Sequence, residues 1–307
     1  MKPRVIFMGT PDFAVPVLDK LIKLTDVVLV VTQPDKLVGR KQELKFSPIK
    51  EKAIENNIKV FQPVKLRNEM EEILNCDADL IVTCAYGQIL PEEILNHPRI
   101  APINVHASLL PKLRGGAPIH HAIIDGYDKT GVTIMYMAKG MDDGDIISQE
   151  EILISDTDNV GILHDKLSQI GANLLEKTLP SILDGTNNRI KQDESLVTFA
   201  PTIKREEEHI NFNKNGKDII NLIRGLNPWP LSNIILNDLE CKILDAEFVK
   251  QNVNDFGKVI LEKNRLGITC LDGIIYIKSI KPFGKKVMNI NDYLNGMKNQ
   301  NVEWSVK

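Results

Sequence analysis

Asn104 and His106 are residues whose types and spacing suggest chemistry. They stand two apart in the run Ile103–His106, which is predicted to be a strand, and side chains at that spacing share one face of a strand. An amide donates hydrogen bonds, and an imidazole exchanges protons near neutral pH. Because ligands bind beyond the carboxyl ends of parallel strands, His106 is expected beside a binding crevice.

Asp142 is the third candidate. It lies in the glycine-bounded loop 140–145, just after a predicted strand over 132–137. If that strand neighbours the one ending at His106, the carboxylate can approach the imidazole. On spacing alone, the same three residues also fit a core histidine, a structural amide and a solvated acidic turn, and these alternatives stay open at this point.

Other chemistries are disfavoured because their motifs are missing. Gly9 follows a predicted strand, but neither G-x-G-x-x-G nor G-x-x-x-x-G-K-[ST] is present, so NAD and ATP are rejected as first interpretations. The acidic loop lacks the spacing and the closing Glu of a calcium loop. The four cysteines stand far apart and form no CxxC pair, so we expect no zinc site, no disulfide framework and a reducing, cytoplasmic location. We predict that no metal is needed.

The elements that would position these residues alternate between strand and helix. Apolar runs predict strands over 4–8, 27–32, 80–85 and 103–106, with helical segments between them, notably Ile49–Glu55. This alternation predicts right-handed βαβ units, and therefore an α/β, Rossmann-like, open and mostly parallel sheet. Pro16 interrupts the first helical pattern, so we expect an irregular first turn there.

The chain is expected to form two domains. The first, over residues 1–189, ends with a long amphipathic helix predicted over 159–183, and residues 190–207 are assigned to a linker. Residues 208–307 contain five short predicted strands, over 234–236, 241–248, 257–261, 267–271 and 274–280. Five short strands in about a hundred residues indicate a small β-barrel of the oligonucleotide-binding (OB) type.

Charge divides along the same boundary. Residues 209–307 hold 14 Lys/Arg against 10 Asp/Glu, whereas the rest of the chain is acidic. A mildly basic C-terminal domain is compatible with a polyanion partner, although on this count alone ordinary solvated charge is the favoured explanation. No apolar run reaches membrane-spanning length and the first residues lack a signal-peptide core, so we expect no membrane partner. A monomer is the default expectation.

The run Ser108–Pro118, Ser-Leu-Leu-Pro-Lys-Leu-Arg-Gly-Gly-Ala-Pro, resembles the signature of the formyltransferases that use 10-formyltetrahydrofolate. Further motifs resemble the members of that family that formylate methionyl initiator tRNA. They are Met8-Gly9-Thr10-Pro11-Asp12-Phe13, Thr32-Gln33-Pro34-Asp35-Lys36 with Gly39-Arg40, Ala85-Tyr86-Gly87-Gln88-Ile89-Leu90-Pro91 and Asn227-Pro228-Trp229-Pro230. The resemblance covers residues 4 to about 290.

The resemblance implies a catalytic set of Asn104, His106 and Asp142. Asn104 would donate to the oxyanion that forms at the formyl carbon. His106 would transfer a proton or, as imidazolium, stabilise the oxyanion, and the sequence does not separate these roles. Asp142 would orient the imidazole. The co-substrate would be 10-formyltetrahydrofolate, and the acceptor the α-amino group of an aminoacylated initiator tRNA.

The resemblance also implies two binding regions. Folate would contact Ser108, Leu109, Leu110 and Pro111, with Ile89 and Leu90 as an apolar wall for the pteridine. The basic insertion after Gln33, with Arg40, Lys41 and Lys45, would contact tRNA phosphates. A solvated surface loop is the alternative for that insertion.

Three further alternatives remain at the level of function. A formyltransferase acting on glycinamide ribonucleotide or on a sugar amine shares the chemistry, a hydrolase would release formate, and an RNA-binding protein would keep the fold without catalysis. The chain also departs from the family at two positions, with Ala107 where Gly is common and Leu113 where many members have an aromatic residue.

Overall fold

The computed structural model describes residues 2–39, 42–297 and 304–307. The chain divides into two compact units. The first unit comprises residues 1–118, 129–153 and 164–201, and the second comprises residues 119–128, 154–163 and 202–307. The two short internal segments therefore group with the C-terminal part of the chain.

The chain up to Leu183 alternates strands with helices. Its strands and helices are β1 (Arg4–Gly9), α1 (Val15–Leu24), β2 (Asp26–Val31), β3 (Lys36–Val38), β4 (Glu43–Lys45), α2 (Pro48–Glu55), β5 (Val60–Phe61), α3 (Glu71–Leu74), β6 (Leu80–Cys84), α4 (Glu92–Leu95), β7 (Ala101–His106), α5 (Pro118–Ile124), β8 (Lys129–Tyr136), β9 (Ile146–Leu153) and α6 (Val160–Leu183). Short 3₁₀ turns cover Asp12–Ala14, Leu66–Asn68, Glu194–Leu196 and Arg205–Glu208.

The main sheet has seven strands in the order β5-β2-β1-β6-β7-β8-β9. The five strands from β5 to β7 run parallel, and β8 and β9 are added antiparallel at the β7 side. This sheet confirms the predicted Rossmann-like, open and mostly parallel architecture. The strand order reverses between β1 and β6, and the carboxyl ends of β6 and β7 lie side by side next to that point.

Burial explains which residues form the parallel strands. Every residue of β6 is buried, and β1 is buried from Val5 to Gly9, because a parallel sheet is covered on both faces. The predicted irregular start of the first helix is confirmed. A 3₁₀ turn covers Asp12–Ala14, and α1 begins only at Val15, which places Pro16 in its first turn, where a missing N–H costs little.

The C-terminal part of the second unit is an antiparallel sheet with two helices. Its elements are α7 (Gly216–Gly225), β10 (Ser232–Leu236), β11 (Leu239–Lys250), β12 (Val259–Glu262), β13 (Arg265–Cys270), β14 (Gly273–Pro282), β15 (Met288–Asn289) and α8 (Ile290–Met297). The order is β10-β11-β14-β13-β12, with β15 paired to β14. The small antiparallel β domain is thus confirmed, while α7 and α8 were not predicted.

Local chemistry accounts for the tight turn between β10 and β11. Asn237 and Asp238 both have positive φ, at 50° and 59°, which two-residue hairpin turns require and which Asn and Asp tolerate. The core of this part buries isoleucines from both α7 and the sheet, including Ile219, Ile234 and Ile277.

The stretch predicted as a linker is partly bonded into the first unit. Ile190 pairs with Ile146, and Phe199 with Arg114, so residues up to 201 belong to that unit. The boundaries at 189 and 208 stay a prediction.

In the described parts of the chain, no helix is both long and apolar enough to cross a membrane. The four cysteines all lie in described ranges and are free.

Candidate active site

Asn104 and His106 lie at the carboxyl end of β7, between β6 and β8. Asn104 is the register partner of Thr83 on β6, and His106 is the partner of Thr133 on β8. His106 is only 6% exposed, and Asn104 is half-buried. The strand therefore holds both side chains at the carboxyl ends of the parallel strands, where ligands bind in sheets of this type.

One ring nitrogen of His106 is committed to the backbone. Nε2 lies 3.1 Å from the carbonyl oxygen of Leu113, and a carbonyl can only accept, so Nε2 carries a proton and donates it. The other nitrogen, Nδ1, lies 3.6 Å from Oδ1 of Asp142. Nδ1 is consequently the nitrogen available for chemistry, and it faces a carboxylate.

Asp142 reaches the site from the loop between β8 and β9. Its φ of +51° is left-handed, a conformation that Asp adopts more readily than most residues. Its Oδ2 accepts a hydrogen bond of 2.9 Å from the backbone N–H of Gly115. The carboxylate is thereby fixed on one side, while Oδ1 points towards His106.

The amide of Asn104 is oriented by a neighbouring hydroxyl. Thr83 Oγ1 donates to Asn104 Oδ1 over 2.8 Å, and Asn104 Nδ2 points towards Asp142 Oδ1 at 3.4 Å. The structure therefore brings together all three predicted catalytic residues around a single carboxylate oxygen. A donor amide, an imidazole and a carboxylate in this arrangement can stabilise an oxyanion and move a proton beside it.

The loop Ser108–Pro111 is held by hydrogen bonds within the protein. Ser108 is fully buried and its hydroxyl donates to the carbonyl of Lys112 at 2.6 Å. Thr133 Oγ1 donates to the carbonyl of Ser108 and accepts from the N–H of Leu110, whose carbonyl accepts from Gln149. Leu109 is half-buried and Leu110 is 3% exposed. The Ser108 hydroxyl thus shapes the loop.

Ile89 and Leu90 point in different directions. Ile89 is 78% exposed, whereas Leu90 is buried in a cluster with Tyr86 and Ile94. Of the two residues, Ile89 is the one that exposes an apolar side chain to a ligand. The assignment of both residues and of Ser108–Pro111 to folate stays a prediction.

The basic insertion forms the hairpin β3–β4. Arg40 and Lys41 lie outside the described residues. Lys45 is exposed and stands opposite Lys36, which is exposed as well. Neither lysine makes an ion pair with a described residue, whereas Lys50 at the base of the hairpin pairs with Asp35.

Three functional neighbours were not found from the sequence. Thr83 orients Asn104. Arg114 is 5% exposed and donates to Gln192, which in turn donates to the carbonyls of Asp142 and Gly144. Thr83 and Gln192 come from segments distant in the chain, so no local spacing signals them. Arg114 lies inside the Ser108–Pro118 run, which is the signal that could have found it.

A metal centre is not visible in the part of the chain that the structure describes. No group of three or more His, Cys, Asp or Glu side chains there could hold a metal ion.

Two family models match the sequence. One, described as Formyl transferase, matches residues 1–179, and the other, described as Formyl transferase, C-terminal domain, matches residues 202–298. A methionyl-tRNA formyltransferase from Staphylococcus epidermidis is 51% identical over 298 residues, which cover 96% of each chain. A protein with the same name from Staphylococcus aureus is 50% identical and covers 96% of this chain and 97% of its own length.

Among solved structures, an N-formyltransferase from Helicobacter canadensis in complex with folinic acid and dTDP-3-aminofucose has a similar fold. The TM-score is 0.71 at 23% identity, covering 92% of this chain and all of the other. At that identity the likeness concerns the fold alone. By the family models and the full-length relatives, the chain belongs to the formyl transferase family, and its full-length similarity is to the methionyl-tRNA formyltransferases of that family.

Proposed function

We propose that this protein transfers the formyl group of 10-formyltetrahydrofolate to the α-amino group of methionyl initiator tRNA, giving N-formylmethionyl-tRNA for translation initiation. One observation carries the proposal. A methionyl-tRNA formyltransferase matches the chain over 96% of its length at 51% identity, including both the catalytic and the C-terminal parts. The convergence of Asn104, His106 and Asp142 supports the same chemistry.

Asn104 is the candidate oxyanion donor. Formyl transfer forms a bond from the amine nitrogen to the formyl carbon and breaks the bond to N10 of the folate, with negative charge developing on the formyl oxygen. The amide nitrogen of Asn104 is aimed into the site because Thr83 holds the amide oxygen. A preorganised donor of this kind typically lowers the barrier by ~3–4 kcal/mol.

His106 is the candidate for proton transfer. A proton must leave the attacking nitrogen, and one must reach N10. With Nε2 donating to Leu113, only Nδ1 can take or give that proton, and Asp142 Oδ1 faces it at 3.6 Å. This distance exceeds that of a direct hydrogen bond, and catalytic hydrogen bonds commonly tighten when substrate binds.

The folate co-substrate is proposed to lie along Ser108–Pro111 and against Ile89. The internal hydrogen bonds of Ser108 and Leu110 give that loop a fixed surface. The exposed side chain of Ile89 offers an apolar face for the pteridine. A rigid, mostly apolar wall with few polar groups is typical of small-molecule sites.

The hairpin β3–β4 is proposed to contact tRNA. Lys36 and Lys45 face each other across the two strands, and like charges in that position repel unless an anion lies between or beside them. A phosphate supplies such an anion. Arg40 and Lys41 are assigned to the same contact on the family resemblance, since they lie between β3 and β4 in the sequence.

The turn after β14 is proposed as a second tRNA contact. Phe283 is 76% exposed, and Lys281, Lys285 and Lys286 around it are exposed without an ion pair among the described residues. Lys278 differs, because it pairs with Glu247 at 3.4 Å. Basic side chains around an exposed aromatic ring suit a nucleic-acid strand, in which phosphates and bases alternate.

The remaining assignments follow from this role. We assign the protein to the cytoplasm, where translation initiation takes place, and a monomer remains the default expectation. We keep the predicted domain boundaries as part of the proposal: a catalytic domain over 1–189, a linker over 190–207 and a tRNA-binding domain over 208–307.

The decisive experiment is formyl transfer from 10-formyltetrahydrofolate to purified methionyl initiator tRNA, with elongator methionyl-tRNA as the matched control. We expect formylmethionine on the initiator only. Consumption of the folate without transfer to either tRNA would contradict the proposal and would point to a hydrolase or a small amine acceptor, which amino sugars and glycinamide ribonucleotide would then distinguish.

A further inference from the structure

Gln192 connects the two loops that form the candidate site. Its Nε2 donates to the carbonyl oxygens of Asp142, at 2.7 Å, and Gly144, at 2.8 Å. Its Oε1 accepts from Nε and Nη2 of Arg114, at 3.0 and 2.9 Å. A primary amide has two N–H donors and two acceptor lone pairs, so every hydrogen-bonding position of this side chain is filled.

Arg114 is the other half of the connection. It is 5% exposed, and its guanidinium also pairs with Glu194. The residues on either side of it touch the catalytic groups: the carbonyl of Leu113 accepts from His106, and the N–H of Gly115 donates to Asp142. The contacts therefore close a ring that runs through His106, Arg114, Gln192 and Asp142.

The loop that carries Asp142 needs such support. Asp142 has a left-handed φ of +51°, which costs backbone energy in any residue other than glycine, although Asp tolerates it better than most. Two residues later, Gly144 approaches the chain so closely that a Cβ would lie 1.9 Å from the carbonyl oxygen of Tyr136. The amide of Gln192 bonds to the carbonyls of these same two residues.

We propose that Gln192, anchored by Arg114, is a positioning residue for Asp142. It fixes the backbone of the loop, and through it the placement of the carboxylate between Gly115 and His106. The inference rests on the proposed function for its assay, because the effect is expected in the rate of formyl transfer. Gln192 itself has no atom left to bind substrate.

The first test removes the four hydrogen bonds without shortening the side chain. In Gln192→Met, kcat is expected to fall by about 10- to 100-fold, since small misplacements of a catalytic group cost factors of that size. The KM values for folate and tRNA should stay within about twofold, because binding groups are untouched. Asp193→Ala is the matched control. Asp193 is exposed and its carboxylate accepts from Ser195 at a turn, so we expect wild-type kcat in this variant.

A second variant separates positioning from mere packing. Gln192→Glu keeps an acceptor for Arg114 but offers no donor to the two carbonyls. If positioning is the role, its kcat falls at least as far as that of Gln192→Met, because a carboxylate oxygen would face the two carbonyl oxygens that the amide bound. Wild-type kcat in Gln192→Glu or in Gln192→Met would overturn the inference.

The sharpest test is a double-mutant cycle with Asp142. Because Gln192 acts through that carboxylate, adding Gln192→Met to Asp142→Ala should lower kcat by less than about twofold. If Gln192→Met lowers kcat in the Asp142→Ala protein by as much as it does in the wild-type protein, the inference is overturned. If the wild-type protein proves to formylate a different amine, the proposed acceptor is wrong, and the same cycle measured on that amine still decides the role of Gln192.

Discussion

Thr83 donates its hydroxyl proton to Oδ1 of Asn104 over 2.8 Å, and this contact decides which end of the amide faces the carboxylate of Asp142. With the oxygen turned to Thr83, the nitrogen lies 3.4 Å from Asp142 Oδ1. The opposite orientation would place two acceptors against each other. Thr83, whose hydroxyl is hydrogen-bonded to Asn104, Ile103 and Met137, thus sets the direction in which Asn104 donates.

Replacing Thr83 by valine should therefore lower kcat more than stability. The isosteric change frees the amide of Asn104 to rotate, and we expect kcat to fall by ~10-fold, a fraction of the loss seen when an oxyanion donor is deleted. Thr130→Val is the matched control, because the Thr130 hydroxyl is buried without a partner among the described residues. That control should keep its kcat and melt at the same or a higher temperature. An equal kcat loss in both valine variants would contradict the role of Thr83.

His106→Ala and Asp142→Ala test the chemistry directly. Each should lower turnover by a factor of ~10²–10⁴ while leaving tRNA affinity nearly unchanged, since neither side chain is assigned to binding. Single-turnover rates and a filter-binding assay with methionyl initiator tRNA measure the two quantities separately. Wild-type-like turnover in either variant would remove that residue from the site.

The basic hairpin should act on tRNA alone. Arg40→Ala and Lys45→Gln are expected to lower kcat/KM for tRNA and to flatten its dependence on salt, because each phosphate contact adds to that slope. The KM for folate should not change. Lys177→Gln is the control, since Lys177 is an exposed lysine already paired with Glu150. An unchanged kcat/KM for tRNA in both hairpin variants would refute the contact.

The turn after β14 offers an independent check of tRNA binding. The double change Lys285→Gln, Lys286→Gln should raise the KM for tRNA several-fold, and Phe283→Ala should do the same if a base stacks on the ring, an interaction of ~1–3 kcal/mol. Lys278→Gln serves as the comparison, because that lysine is paired with Glu247. An equal rise in the KM for tRNA in Lys278→Gln and in the Lys285→Gln, Lys286→Gln variant would show that general charge, and not this turn, is responsible.

Asp79 predicts a pH dependence of stability. The hydrogen bond from the backbone N–H of Arg4 lowers the pKa of the Asp79 carboxyl below its ordinary value of 3.8, against the opposing effect of partial burial and with help from Arg99. A lowered pKa in the folded state stabilises the protein above the ordinary pKa, and this contribution is lost as the pH falls through the folded value.

Asp79→Asn should accordingly be less stable than the wild type at neutral pH by ~1.5–3 kcal/mol, the size expected for hydrogen bonds to a charged group. The difference should shrink below pH 3.8 as the wild-type carboxyl becomes protonated. Urea unfolding at neutral and acidic pH measures both values. A difference that stays constant with pH would show that charge on Asp79 plays no part.

Local patterns in the sequence account for the elements that were predicted. Hydrophobic periodicity depends on residues only a few positions apart. It therefore predicts the buried strand β1, the long helix α6 and the shared strand face of Asn104 and His106. The edge strand β9 was not predicted. Its centre, Ser148–Glu151, is polar, and its position depends on pairing with β8, which a single segment does not reveal.

The rest of the site depends on contacts between distant segments. Thr83 lies 21 residues from Asn104, and Gln192 lies 50 residues from Asp142. The polar and charged surroundings of Gln192 predict a linker, yet the chain there returns to Arg114 and to the loop that carries Asp142. Composition reflects the average exposure of a segment to solvent and cannot identify a particular polar side chain that turns inward.

Two of the free cysteines, Cys84 and Cys241, can report local unfolding of the parallel sheet and of the C-terminal sheet, respectively. Burial raises the pKa of the Cys84 thiol, and burial chiefly raises that of Cys241 to about 11. Because the thiolate is the reactive form, an alkylating reagent can modify either one only after the surrounding structure has opened. The rate of modification at Cys84 would therefore follow fluctuations of the parallel sheet beside the catalytic residues, and the rate at Cys241 those of the C-terminal sheet, without any engineered label.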